Sequence, residues 1–421
     1  MRNSWYTQKN GKIDGRFMET TICPLAVLGG NPVRNKPMPS RYALGIEEQA
    51  MITQVIAWYQ NQGVDPGYQG HFETEYTHAF VQWMGGGYAD AVATGTAALF
   101  VALAALDLPK NSEVLVSPIT DPGTLSAIIL AGCTPKLLDT QIRSFNVGLD
   151  QVKARLNHRT SGVLLVHAAG QAIAEMGAIV DYCHQRGIKV LEDCSQAHGA
   201  QSQGQWVGTF GDIAAFSTMY RKASITGSTG GVVYTRDQPL YFNALAHADR
   251  GKPRWQSGFD DRDPRQFLFP ALNLHSNEIA CGIGLASLKR LPATMRKRVE
   301  FVKAITEALL AQSRVCTPYG ISDADSPFFY PIFVDTARIR TTKIEFAKAI
   351  QAEGIGLNPQ YHYLVADWPW IQPYLADDFH CPHARQTRDT AFCLYLNENY
   401  GPQEVEDILA AILKVENYYY V

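Results

Sequence analysis

Lys222 is the only lysine between Lys189 and Lys252, and it stands five residues after Ser217, which closes the apolar run GDIAAFS. A lysine in a turn just past a strand can form an imine with an aldehyde cofactor. Burial lowers the pKa of such an amine, so it can also carry protons. Taken alone, Lys222 reads as a solvated surface lysine. Two other elements change that reading. Asp193 ends the run IKVLED, and ligands of open parallel sheets sit outside the carboxyl ends of the strands. A carboxylate there can keep a pyridine nitrogen protonated, which makes the ring an electron sink; it can equally hold a loop. Gly95-Thr96-Ala97 lies where a strand passes directly into a helix. The free amides and partial positive charge of a helix N-terminus suit a phosphate, although Thr96 also reads as a simple helix cap. A phosphate cradle, an acid and a lysine in this order favour an aldehyde cofactor attached at Lys222.

The elements that must position these residues follow from patterning. From residue 89 onward, short apolar runs alternate with helical ones: ADAVATG (89–95), then TAALFVALAALDL (96–108), then EVLVSPI, GTLSAIILAG, TPKLLD, LDQVKARLN, SGVLLVHAAG, IAEMGAIVDYCHQRG and IKVLED. Apolar strands alternating with helices predict a mostly parallel, roughly seven-stranded α/β sheet covered on both faces. The helix at 96–108 is apolar on nearly every side, as buried helices are. Beyond residue 290 the character changes to a long helix, FFYPIFVD, TKIEFAKAIQAEG, AFCLYL and a final amphipathic helix. This predicts a large domain over 1–290 and a smaller α+β domain over 291–421, with the Pro- and Gly-rich first forty residues wrapped over the body.

The 421 residues carry 37 basic and 40 acidic side chains, well interspersed, for a net charge of -3. No basic stripe points to nucleic acid. The polar N-terminus has no signal-peptide core, and no apolar run is long enough for a bilayer, so a cytoplasmic location is expected. The eight cysteines are scattered and read as reduced, mostly buried thiols. His380-Cys381-Pro382-His383 matches no zinc spacing, so no metal is expected; the tract reads as a loop before the last helical region.

VATGTAAL, LEDCSQAHGA, VGTFGDIAAFS with a lysine five residues on, and TGGVVYT occur in that order. Together they resemble the DegT/StrS family of sugar aminotransferases, which have the type I fold and use pyridoxal 5′-phosphate (PLP). The resemblance runs from LGGNPVR (28–34) to the end of the chain and is most specific over 187–235. It implies that Lys222 is the Schiff-base lysine and that Asp193 partners the pyridine nitrogen. It also implies that Gln196 lies against the cofactor ring and that Thr96, Ala97 and Ser217 bind the phosphate. Asn273, five residues before Glu278, matches the family asparagine that reaches the phosphate of the neighbouring subunit, which implies a homodimer with shared sites. Glutamate or glutamine is the implied donor, and a nucleotide-linked keto sugar or keto cyclitol the implied acceptor.

Three departures touch the surroundings of the cofactor. Asp121, in Pro118-Ile119-Thr120-Asp121, stands where the family often has a ring-stacking aromatic. His275 replaces the family's arginine two residues after Asn273, and Thr218-Met219-Tyr220-Arg221 is unusual. Arg250, Lys252, His247, Tyr361, His362 and Tyr363 are pocket candidates, reading equally as solvated loop and small-domain core. Three alternatives belong beside the aminotransferase. A dehydratase of the same family characteristically has His where Lys222 stands. An aminohydroxybenzoate-type synthase is suggested by CPHARQTRDTAFCLYLNENYG. A non-catalytic PLP-binding regulator would lack turnover with any amino donor.

Overall fold

In the computed structural model, whose described residues are 24–421, a twisted sheet forms the large lobe. Its first five strands are β1 (Tyr88–Val92), β2 (Glu113–Val116), β3 (Thr134–Leu137), β4 (Thr160–Val166) and β5 (Lys189–Asp193). A short hairpin, β6 (Gln201–Ser202) and β7 (Gln205–Trp206), stands outside it, and β8 (Ile213–Ser217) and β9 (Gly231–Thr235) complete it. The order is β1-β9-β8-β5-β4-β2-β3. Five neighbours from β8 to β3 run parallel, while β9 is antiparallel to both β8 and β1. The expected seven-stranded, mostly parallel sheet is therefore present. Strands such as TSGVLLV show no alternation because both faces are covered.

The covering helices are α1 (Ile46–Gln62), α2 (His71–Trp83), α3 (Gly95–Ala105), α4 (Pro122–Leu130), α5 (Leu149–Arg155), α6 (Met176–His184) and α7 (Gln238–Ala248). The uniformly apolar α3 is buried against α4, α7 and the sheet. It starts at Gly95, one residue earlier than the sequence pattern suggests. No helix among the described residues is long and apolar enough to cross a membrane.

The 35-residue α8 (Glu278–Gln312) crosses positions 290 and 291 without a break and carries Pro292 inside it. A proline forfeits one ladder bond and crowds the preceding turn; here packing against α1 and α2 on one side and α11 (Pro402–Tyr419) on the other holds the helix together. Beyond it, β10 (Cys316–Pro318), β11 (Tyr330–Val334), β12 (Leu357–Asn358) and β13 (Ala391–Leu394) form an antiparallel sheet in the order β10-β11-β13-β12. Helices α9 (Lys343–Ala352) and α10 (Pro382–Thr390) complete this smaller lobe. In the His380–His383 tract, His380 and Cys381 precede α10 as expected, while Pro382 and His383 are its first residues. The Cys381 thiol donates to the Leu138 carbonyl at 3.2 Å, and the His383 amide donates to Asp139 at 3.0 Å.

The N-terminal wrap is seen from residue 24. The Ala26 and Val33 amides donate to the Glu353 carboxylate, and Arg34 is ion-paired with Glu404 and Asp407 of α11. The rest of that segment, Cys23 included, lies outside the described residues. The seven other cysteines are free and buried.

Candidate functional site

A cavity of about 1150 Å³ opens at the carboxyl ends of the central strands, between the two lobes. Gly95, Thr96, Asp193, Gln196, Ser217 and Lys222 all line it. Residues far apart in the chain thus converge on one site because β1, β5 and β8 end together in the sheet.

The phosphate cradle is built by close approach. Thr94 caps α3, its hydroxyl accepting from the Ala97 amide at 2.8 Å, so the cap is Thr94 and not Thr96. The Ala97 amide is thereby engaged, and the orphan donors of the first turn are those of Gly95 and Thr96. A Cβ on Gly95 would lie 2.5 Å from Ser217 Cβ and 2.8 Å from its Oγ. Only glycine lets the start of α3 meet the end of β8 so closely. The Thr96 and Ser217 hydroxyls face the same cavity, and the set of amides and hydroxyls fits a phosphate ester.

Asp193 is buried at the end of β5. Its Oδ1 accepts from the Ser195 amide at 3.0 Å, and Oδ2 from the Thr124 hydroxyl at 3.5 Å. Burial pushes its pKa up, opposed by Ser195 and by the charge of Lys222. A carboxylate so poorly compensated gains from a protonated ring nitrogen beside it. Lys222, also buried, has its Nζ 4.5 Å from the centroid of the Phe328 ring. Desolvation pushes its amine down to about 8, with Asp193 and Asp121 pulling the other way. No carboxylate forms an ion pair with it among the described residues, which leaves the nitrogen free to attach a ligand. Gln196 is fixed by the Ala169 amide, which donates to its Oε1 at 2.9 Å.

The lysine turn is clamped by residues that sequence reasoning missed. Arg41 donates to the carbonyls of Tyr220 (2.8 Å) and Ala223 (3.3 Å) and pairs with Glu398 at 3.0 Å. Arg298 of α8 pairs with the same Glu398 at 2.8 Å and donates to the Pro327 carbonyl, next to Phe328. Asn397 and Asn399 donate to the carbonyls of Pro39 and Ser40, holding Arg41 in place. The Asn-Glu-Asn run directly after an apolar strand was the available signal. Ser195 was also missed; its hydroxyl accepts from the Ser217 amide at 3.0 Å, tying β5 to β8 at the cavity floor.

Of the other pocket candidates, Tyr361 and Tyr363 line the cavity, whereas His247, Arg250, Lys252 and His362 do not. Arg250 and Lys252 instead surround Asp249 with Arg254. Asn273 also lies outside its own chain's cavity. The cap of α8 is Asn277, whose side chain accepts from the Ala280 amide. Asn273 donates to the Tyr68 hydroxyl at 3.3 Å. His275 stacks under Tyr68 at 4.6 Å, with its Nε2 3.1 Å from Asp249.

His167, Glu192 and Cys194 bring potential metal ligands together, but Glu192 is fully engaged. It accepts from the amides of Gly208, Phe210 and Gly211 and contacts His167 Nε2 at 3.0 Å. This cluster is a structural clip beneath Asp193.

The sequence profile of the DegT/DnrJ/EryC1/StrS aminotransferase family matches residues 47–413. A Micromonospora echinospora protein, provisionally named L-glutamine:3-amino-2,3-dideoxy-scyllo-inosose aminotransferase, is 26% identical over 93% of this chain and 97% of its own. GDP-perosamine synthase of Caulobacter vibrioides is 31% identical over 70% of this chain and 77% of its own. The solved aminotransferase of Psychrobacter cryohalolentis superposes with a TM-score of 0.82 at 25% identity, covering 89% of this chain and 98% of that one.

Proposed function

Because the chain belongs to the DegT/DnrJ/EryC1/StrS aminotransferase family, we propose that it moves an amino group from glutamate or glutamine to a keto cyclitol or keto sugar, using pyridoxal 5′-phosphate. The observation that carries this reading is the buried Lys222 amine, free of any ion pair among the described residues, opening onto the same cavity as Asp193 and the donors of Gly95, Thr96 and Ser217. When bound, the cofactor supplies an electron sink for negative charge at the substrate carbon. Lys222 holds it between turnovers and, once released, takes and returns the proton at the substrate carbon that bears nitrogen. Asp193 keeps a proton on the ring nitrogen. Gly95, Thr96 and Ser217 anchor the phosphate, and Gln196 lies beside the ring. By their names, the Micromonospora and Caulobacter relatives act on a cyclitol and on a nucleotide sugar, which supports both acceptor classes. The presence of Lys222 rather than histidine speaks against a dehydratase. The holoenzyme is expected to lose its internal absorbance on mixing with glutamate or glutamine and to regain it on adding a keto acceptor. Stopped-flow spectra of the two halves test this, and no change with any amino donor would leave only a non-catalytic binder.

The same reading includes a large lobe to residue 290, a small one from 291, and a cytoplasmic location, the last supported by free thiols throughout the described residues. It also includes a two-fold homodimer in which Asn273 completes the partner's phosphate site. Two observations support the dimer. Asn273 does not line its own chain's cavity, and the cavity mouth is bordered by exposed apolar groups, among them Tyr42 at 82% and the neighbouring Ile46 at 85% exposure. Mixing Lys222→Ala with a disruptive Asn273 variant is expected to restore activity, since one site per mixed dimer keeps both residues. Lack of rescue, or an active monodisperse monomer, would refute the shared site.

A further inference from the structure

We infer that Asp121 selects the acceptor, and that the acceptor it selects already carries an ammonium group. This rests on reading the chain as an aminotransferase and adds which keto substrate it takes.

Asp121 follows β2 and faces the cavity. Its position is fixed from both lobes. The Thr120 amide donates to the Tyr363 carbonyl at 3.2 Å, and the Val365 amide donates to the Pro118 carbonyl at 2.9 Å. The simplest role for its side chain is to cap α4, and Oδ1 does accept from the Gly123 amide at 2.9 Å. That bond occupies one oxygen. It needs no charge, since Asn or Ser caps as well. Oδ2 has no hydrogen-bond partner among the described residues, and the residue is exposed to the cavity.

The other charges around the cavity are committed. Asp193 and Lys222 serve the cofactor. Arg41 and Arg298 share Glu398, which leaves that wall net positive. Arg221 lies at the mouth over the Tyr220 ring. Asp121 bears on the charge of Lys222, but among the described lining residues it is the one carboxylate that is neither held in an ion pair nor assigned to the ring nitrogen. It stands on the side of Tyr361 and Tyr363, whose rings are 5.4 Å apart. A carboxylate beside aromatic faces suits an organic ammonium. Thr120 and Thr124 do not compete for it, because their hydroxyls bond each other at 2.7 Å.

This polarity also sorts two substrates through one cavity. The carboxylates of an amino-acid donor are repelled by Asp121 and drawn to the arginine wall. An acceptor with a second nitrogen is drawn the other way. A neutral hydroxyl in place of that ammonium forfeits a charge-assisted bond, which corresponds to about 10- to 100-fold in affinity.

The probes are 2-deoxystreptamine, with two amino groups, and 2-deoxy-scyllo-inosamine, with one amino group and a hydroxyl in place of the other. Each is run on the PLP-loaded enzyme as a reverse amino donor and as a competitor of glutamate. The wild type is expected to favour the diamine by about 10- to 100-fold. Asp121→Asn keeps the acceptor for the Gly123 amide and removes the charge; it is expected to bring the ratio near unity. Asp121→Ser, a second capping residue, is expected to do the same. Equal treatment of the two amines by the wild type, an unchanged ratio in both variants, or failure of either amine to react or compete would overturn the inference while glutamate still reacts. Absence of reaction with both glutamate and glutamine would overturn the aminotransferase reading, and this inference with it.

Discussion

Lys222→Ala is expected to lower turnover by about 10⁴-fold while leaving the fold intact, because one side chain serves as both the attachment point and the proton carrier. Borohydride reduction of the wild-type holoenzyme is expected to leave the adduct on the tryptic peptide containing Lys222; finding it on Lys189 or Lys252 would refute the assignment. The variant should still bind PLP through Gly95, Thr96, Ser217 and Asp193, but release it on dialysis. Burial makes the amine reactive before the cofactor arrives. A shift from 10.5 to about 8 raises the uncharged fraction at pH 7 by roughly 300-fold. The same shift has a sign for stability. The folded apoprotein bears the cost of a buried ammonium below pH 8, and that cost fades as pH rises from about 8 toward 10.5. Apoprotein stability is therefore expected to climb across that window in the wild type and to climb less in Lys222→Ala. Equal slopes in chemical denaturation would show that Lys222 is not desolvated.

Asp193→Asn carries the second large effect, a loss of about 10²- to 10³-fold in kcat, the scale for removing one preorganised electrostatic partner. The amide is nearly isosteric and its oxygen can still accept from the Ser195 amide, so folding and PLP binding should survive. What disappears is the charge that keeps the ring nitrogen protonated. The absorbance of bound cofactor should shift, and the loss should fall on kcat more than on KM. Near-normal turnover would assign Asp193 to holding the loop that returns through Ser195 and Ser217.

The sheet and the residues at its strand ends were legible because they obey local rules. IKVLED and GDIAAFS are continuous apolar runs, and residues just past the end of a parallel strand face the ligand crevice. Gly95 was legible as a phosphate contact, although the reason it must be glycine, Ser217 Cβ 2.5 Å from where its own would stand, depends on a pairing of strands far apart in the chain. Of the clamp, only the Asn-Glu-Asn run around Glu398 gave a signal, and its pairing with Arg41 and Arg298 was not legible. Each reads as an ordinary surface charge, and their burial arises only when the N-terminal segment, α8 and the turn after β13 meet. The continuity of α8 across position 291 was missed because Pro292 reads as a helix boundary, whereas flanking helices keep the ladder continuous through it. Asp121 was legible as a departure from a pattern, and its unpaired oxygen only in three dimensions.

The Glu398 clamp bears on the order in which the protein becomes competent. The turn bearing Lys222 is gripped by Arg41, and Arg41 is held in turn by Glu398 and its asparagine neighbours. A ribosome that has finished the whole large lobe has therefore made the cradle, the acid and the lysine, but not the brace that sets the lysine. Synthesis must pass residue 398 before that brace can close. A chain cut short by a few dozen residues would display every motif of the site yet lack the brace on the turn that carries its nucleophile.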